Sequence, residues 1–186
     1  MDTKLTTEVD SSAVRQRIIS TAARLFHQQG FNSTGINQLI VEAGVAKASL
    51  YQHFRTKNDI LKAYLDQASR KWFEQVQAVV SQPNSVKERI LALFDLIHTF
   101  SLAVDFRGCH FQNAAIELGT AQSETRRLIQ SHKSRMEQVF ADLLADAKPG
   151  VADEVTLLFE GALIMSQLYN SLEPIQKARN VVAQLL

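Results

Sequence analysis

Apolar residues recur along this chain at three- and four-residue intervals, without sustained apolar–polar alternation, which predicts helices throughout. After a polar opening, Met1 to Asp10, expected to be disordered, Ser11 or Ser12 can cap a first helix reaching about Gln29. Its inward stripe is Ile18, Ile19, Ala22, Leu25 and Phe26, and Gly30 ends it. Ile36, Leu39, Ile40 and Ala43 give a short second helix one apolar face, and Gly44 follows where a left-handed residue closes many helices. Thr34 stands where its hydroxyl would cap this helix. A third helix, roughly Lys47 to Phe54, sets Leu50 and Phe54 on one side and Lys47, Ala48, Ser49, Tyr51, Gln52 and His53 on the other. Thr56 and Asp59 form a capping box for a long fourth helix to about Ser81, with Leu61, Leu65, Ala68, Trp72, Val76 and Val79 as its stripe.

Beyond the SQPNS linker (81–85), a fifth helix of about Val86 to Val104 presents Ile90, Leu93, Phe94, Ile97 and Phe100. DFRGC interrupts the pattern at Asp105 to Cys109, and a short sixth helix ends at Glu117 or Leu118 before Gly119. Two long helices follow, about Ala121 to Ala147 and Ala152 to Ser171, with KPG turning between them; Glu173-Pro174 then breaks the chain before a last short helix to Leu186. The second long helix is apolar around much of its girth, which requires burial on more than one side, either as a central helix or against a second subunit.

Composition adds limits. The 186 residues are 46% apolar and 21% charged, ordinary for a soluble globular protein. No apolar run reaches the ~20 residues that span a bilayer, and the start is unlike a signal peptide. A single Cys allows no internal disulfide, so a cytoplasmic location is expected. Net charge is only +1, but eight basic residues face five acidic ones through Tyr64, against twelve and fourteen thereafter. A modestly basic head on a slightly acidic body suits a DNA-binding domain joined to something else.

The third helix has a greasy back and a front with donors, a small residue and an aromatic but no acid, which is what a helix entering a DNA major groove needs. IISTAARLFHQQGF (18–31), Thr34, Ile36, AGV (43–45), LYQHF (50–54) and Lys57, in this order and spacing, resemble the amino-terminal DNA-binding domain of the TetR family of transcriptional repressors. The resemblance implies an all-α protein: a three-helix helix-turn-helix domain in residues 1–56 and a helical ligand-binding and dimerisation domain in 57–186. It implies that Lys47, Ala48, Ser49, Tyr51 and His53 face DNA, that Thr34 lies near the backbone, and that Lys57 clamps a phosphate at a helix end. Gly35 and Ala46 depart from the family, which more often has a hydroxyl residue at each. Arg15 and Arg17 are equally consistent with phosphate contacts and with solvated surface.

The family places a small-molecule pocket in the body. Trp72, Phe94, Phe111, Met165 and Tyr169, with Phe100 and Ile116, are the large candidates, although such residues at helical spacing are usually plain core. His98, Asn113 and Glu117, with Gln112, are the polar ones; Asn113 and Glu117 lie four apart on one face. RGCHFQNAAIEL resembles a family branch with Gly-Cys here, some of whose members sense electrophiles or oxidants through a cysteine. Cys109, near a helix amino end with Arg107 and His110 close by, is thus a candidate redox sensor, set against the commoner role of a small buried hydrophobe. The implied partners are a near-palindromic double-stranded operator, an unknown small-molecule effector, and a second copy bound through helices near 121–147 and 152–171. No membrane, metal or cofactor is implied. Neither a phosphate-binding Gly loop nor paired His ligands nor a Ser-His-Asp order stands out, so no catalytic residues are assigned. A helical small-molecule carrier that has lost DNA binding is the alternative, hinted at only by Gly35 and Ala46.

Overall fold

The computed structural model describes residues 2–120 and 123–186, with side chains described from residue 11 onward. All its regular elements there are helices: α1 (Asp2–Gln29), α2 (Ile36–Ala43), α3 (Lys47–His53), α4 (Lys57–Val80), α5 (Val86–Ala103), α6 (His110–Leu118), α7 (Glu124–Leu143), α8 (Val151–Tyr169) and α9 (Glu173–Leu185). Among the described residues no helix is long and apolar enough to cross a membrane.

The chain forms two compact units, Met1–Ala68 with Asn113–Leu128, and Ser69–Gln112 with Ile129–Leu186. Residues of α4, α6 and α7 therefore belong to both, so the division is not the single boundary between 56 and 57 expected from the chain order. In the first unit the expected stripe of α1 is buried together with Phe31, Leu39, Leu50, Phe54, Ile60, Leu61 and Leu65. Phe26 meets Phe31 edge-on at 5.2 Å. The expected Thr56–Asp59 box caps α4: the Thr56 N–H donates to Asp59 Oδ2 at 2.9 Å and the Asp59 N–H to Thr56 Oγ1 at 3.1 Å. In the second unit Phe94 and Phe140 both meet Phe159 edge-on, at 5.4 and 5.2 Å, inside a core that draws on α4, α5, α7, α8 and α9.

Four local expectations change. α1 is already helical at Asp2 rather than from Ser11 or Ser12, consistent with a DTKLTTEVD run that holds no Pro or Gly to stop it. α7 is shorter than 121–147, and Ala121 and Gln122 lie outside the described residues. Ser85, placed in a linker by its neighbours Gln82-Pro83-Asn84, is the cap of α5 in a reciprocal box with Glu88. Glu173 and Pro174 open α9 instead of breaking the chain before it, because Pro costs nothing in a first turn whose N–H groups have no helical partner.

Candidate nucleic-acid interface

The corner between α2 and α3 makes the site. α2 turns Leu39 and Ala43 inward. Gly44 is left-handed at φ 61°; its N–H reaches the Val41 carbonyl at 3.1 Å and that of Val45 reaches Ile40 at 3.2 Å, a reciprocal closure of the helix end that any Cβ would strain. α3 leaves this corner with Leu50 fully buried and Phe54, at its cap, 4% exposed. Lys47, Ala48, Tyr51 and Gln52 are exposed and Ser49 and His53 half-buried, so an ammonium, hydroxyls, an amide and an imidazole look outward with no carboxylate among them. Arg15 lies with its guanidinium 5.3 Å over the Phe54 ring, a packing role that sequence alone did not reveal. Neither N-cap, Gly35 of α2 or Ala46 of α3, makes a side-chain capping bond.

Two expected contacts are corrected. Thr34 is fully buried, its hydroxyl donating to the Gly30 carbonyl at 2.7 Å and accepting from Gln29 Nε2 at 3.2 Å. It neither caps α2 nor offers a hydroxyl to phosphate, because the turn ahead of α2 needs that group inside. The Lys57 ammonium is also held internally, donating to the Phe31 and Thr34 carbonyls at 2.9 and 3.0 Å and lying 4.3 Å from the Phe31 ring centre. Those carbonyls would otherwise face a half-buried turn, which is why the lysine is drawn inward rather than standing free as a phosphate clamp.

Residues 18–64 match the family model for bacterial regulatory proteins of the tetR family. Over 160 residues the chain is 28% identical to AcrR, an HTH-type transcriptional regulator of Shigella flexneri, covering 81% of this chain and 73% of that one. YezE, an uncharacterized HTH-type transcriptional regulator of Bacillus subtilis, is 28% identical over 146 residues, 76% of this chain and 71% of its own. The crystal structure of SCO4454, a TetR-family transcriptional regulator from Streptomyces coelicolor, superposes with TM-score 0.76 at 28% identity over 92% of this chain and 97% of that one. Residues 18–64 carry a tetR-family DNA-binding domain, and the whole chain is similar to TetR-family transcriptional regulators.

In the helical body some of the expected pocket residues meet in the core, while others lie on its surface or in the other compact unit. Phe94 is fully buried core. Met165 and Tyr169 are 40% and 67% exposed on the outer face of α8. Trp72 packs edge-on against Phe100 at 5.7 Å. His98 lines an open polar groove of about 410 Å³ with Asp95, Ile175, Gln176, Arg179 and Asn180, where Arg179 Nε already donates to Asp95 at 2.7 Å. Asn113 and Glu117 belong to the other compact unit. Glu117, expected to orient a ligand, instead accepts the Phe31 and Asn32 N–H groups at 3.0 and 2.7 Å. Four-residue spacing put Asn113 and Glu117 on one face but held no information about what that face meets.

A different cluster gathers around Cys109, which is buried. Lys133 Nζ donates to Cys109 Sγ at 3.6 Å and to Glu160 Oε2 at 2.5 Å, and Gln112 Nε2 donates to the same carboxylate oxygen at 2.8 Å. Burial alone would push the Lys133 ammonium down, but Cys109 and Glu160 outweigh it and hold it above the usual lysine range. Gln112 Oε1 is buried with no hydrogen-bond partner among the described residues. Phe111 lies flat on His132, ring centres 3.5 Å apart, and Ser69 Oγ is 2.9 Å from His132 Nδ1. Burial first, then Lys133 and Arg135, push the His132 pKa down to about 3, so the ring is neutral. Lys133, Glu160 and His132 went unnoticed in the sequence because 21 residues or more separate each from the residue in or just before α6 that it meets; a lone Lys amid polar positions sends no signal.

The outward residues of α7 are mainly polar, among them Glu124, Arg127, Gln130, Ser134, Glu137 and Gln138. α8 does offer one: Leu157 and Leu168 are 73% and 72% exposed, and Ile164 is 38% exposed. The adjoining α9 adds Val181, 50% exposed, and Leu185, 39% exposed.

Proposed function

We propose that this regulator represses transcription as a homodimer, its two α3 helices reading successive major grooves of a near-palindromic operator. The observation that carries this reading is the split character of α3, with Leu50 fully buried behind an exposed, acid-free front of Lys47, Ala48, Tyr51 and Gln52. Lys47 is assigned to a guanine edge or a phosphate, Ala48 to close approach at a thymine methyl, and Ser49, Tyr51 and His53 to positioning on the backbone. The second copy docks on α8 and α9, since an apolar stripe of Leu157, Ile164 and Leu168 around Gly161, flanked by Val181 and Leu185, is costly to leave in water.

A small-molecule effector releases the DNA by shifting α4 and so changing the spacing of the two heads. The polar cluster of Lys133, Glu160 and Gln112 supports an effector site beside α6, with the unpartnered Gln112 Oε1 as acceptor for an effector donor. Modification of Cys109 is a second reading, favoured by the Lys133 ammonium that donates to its sulfur.

Selection of DNA fragments from a genomic pool by the reduced protein, repeated after a thiol-reactive electrophile, tests both readings. Enrichment of a palindrome is expected, with Lys47→Ala binding it about tenfold more weakly and with a salt slope lower by about 1. No enriched sequence overturns the repressor reading in favour of the carrier. Loss of enrichment after treatment in the wild type but not in Cys109→Ser makes the thiol the sensor; loss in neither returns Cys109 to packing.

A further inference from the structure

The turn between α1 and α2 is gripped from two sides by charges far away in sequence. The carboxylate of Glu117, one residue before the end of α6, accepts the Phe31 N–H on Oε1 at 3.0 Å and the Asn32 N–H on Oε2 at 2.7 Å. The Glu117 carbonyl accepts from Asn32 Nδ2 at 3.1 Å. Gly30 completes the fit: its φ is +96°, and a Cβ there would stand 3.1 Å from both carboxylate oxygens. Successive N–H groups converging on one anion form a nest, and here the anion belongs to the chain itself. On the carbonyl side of the same turn, Lys57 holds the oxygens of Phe31 and Thr34.

The grip does little for α6 itself. A carboxylate in the last turn of a helix faces the negative end of the dipole and is mildly unfavourable there. The end of α6 is instead closed by Arg126, whose Nη1 donates to the Ala115 carbonyl at 3.4 Å and to that of Gly119. What Glu117 does determine is the path of the chain into α2, whose N-cap, Gly35, has no side-chain bond of its own. The heading of α2, and through the Gly44 corner that of α3, follows from a turn that Glu117 holds by its N–H groups while Lys57 and the Thr34 hydroxyl hold its carbonyls.

We propose that Glu117 is a positioning residue for DNA binding: its carboxylate, clasping the Phe31 and Asn32 N–H groups, holds the α1–α2 turn in the form that presents α3 to the operator. The inference rests on the DNA-binding reading but assigns Glu117 a role there in place of ligand orientation. It touches no DNA; it acts through the turn.

The test uses the full chain and the DNA sequence that the wild type selects. Glu117→Gln keeps the shape but puts an N–H₂ where one N–H must find an acceptor; Glu117→Ala removes both acceptors. Affinity for the selected DNA is expected to fall about 5- to 100-fold in Glu117→Ala and by less in Glu117→Gln. The dependence of binding on salt keeps its slope, since no phosphate contact is lost. Amide hydrogen exchange at Phe31 and Asn32 speeds up, while exchange at the buried Leu39, Leu50 and Leu65 does not change. Faster exchange at 31 and 32 with unaltered DNA affinity makes the clasp mere trim and overturns the proposal. So does loss of protection throughout α2, α3 and α4 in Glu117→Gln, which assigns the residue to stability alone. A wild type that selects no DNA sequence removes the DNA-binding reading itself; a wild type that selects one, with variants that bind it equally well, removes only this inference.

Discussion

The helix-turn-helix head and the helical body are built from the same kind of amphipathic helix, yet they keep their chemistry in different places. In the head, Gly44, Lys47, Leu50, Tyr51 and Phe54 are near neighbours in sequence, and a single short helix sorts them into a buried and an exposed face. In the body, Cys109 just before α6, Lys133 of α7 and Glu160 of α8 meet only when the helices pack. The lesson is that a surface read by a rigid polymer such as DNA can be written locally, whereas an enclosure for a small molecule is a product of packing.

The largest effect that would sharpen this contrast concerns Phe94. Fully buried against Phe159, it should cost about 3–5 kcal/mol of stability when cut to Ala, measured by denaturant unfolding. A loss under about 1 kcal/mol would mean a roomy, ligand-lining site and would blur the line drawn here between core and pocket.

His132 gives a middle-sized effect confined to the body. In the unfolded chain it takes a proton near pH 6.5, while in the folded protein it stays neutral down to about 3. The unfolded state therefore binds more protons across this window, so stability is full above pH 6.5 and declines as pH falls, by at most about 1.4 kcal/mol per pH unit. Between pH 6.5 and 5 the wild type should lose about 2 kcal/mol more than His132→Gln, which cannot titrate. Equal losses in urea titrations at the two pH values would show that the folded ring accepts a proton readily.

The smallest effect lies in the head. Ala46 caps α3 with extended backbone (φ −70°, ψ 146°) and no side-chain bond, a geometry that Ser accepts. Ala46→Ser should add about 0.5–1 kcal/mol to thermal stability by satisfying an open N–H at the start of the recognition helix. No gain in melting temperature would show that those N–H groups already have partners.

Periodicity and capping residues were enough to place most helix ends of this protein within a residue or two, since both are properties of a few consecutive positions. The Thr56–Asp59 box, the left-handed Gly44 and the inward pair Leu50 and Phe54 were all legible in this way. The family resemblance in residues 18–57 was legible for the same reason: a helix corner constrains contiguous residues. Thr34, Lys57 and Glu117 were misread because their partners are backbone groups of the Gly30–Thr34 turn, which a one-dimensional pattern does not advertise. Met165 and Tyr169 looked like pocket residues only because apolar spacing cannot say which side of a helix the rest of the chain will cover.

Sequence by itself determined the all-helical class and the recognition helix, because helix formation and amphipathic sorting act over one to three turns. Only the tertiary structure decided that Lys57 and Glu117 hold a turn, that Lys133 sits at Cys109, and that α8 rather than α7 has a bare apolar side. Those outcomes depend on which helices pack together, and a long-range contact is set by the whole core rather than by the residues that make it.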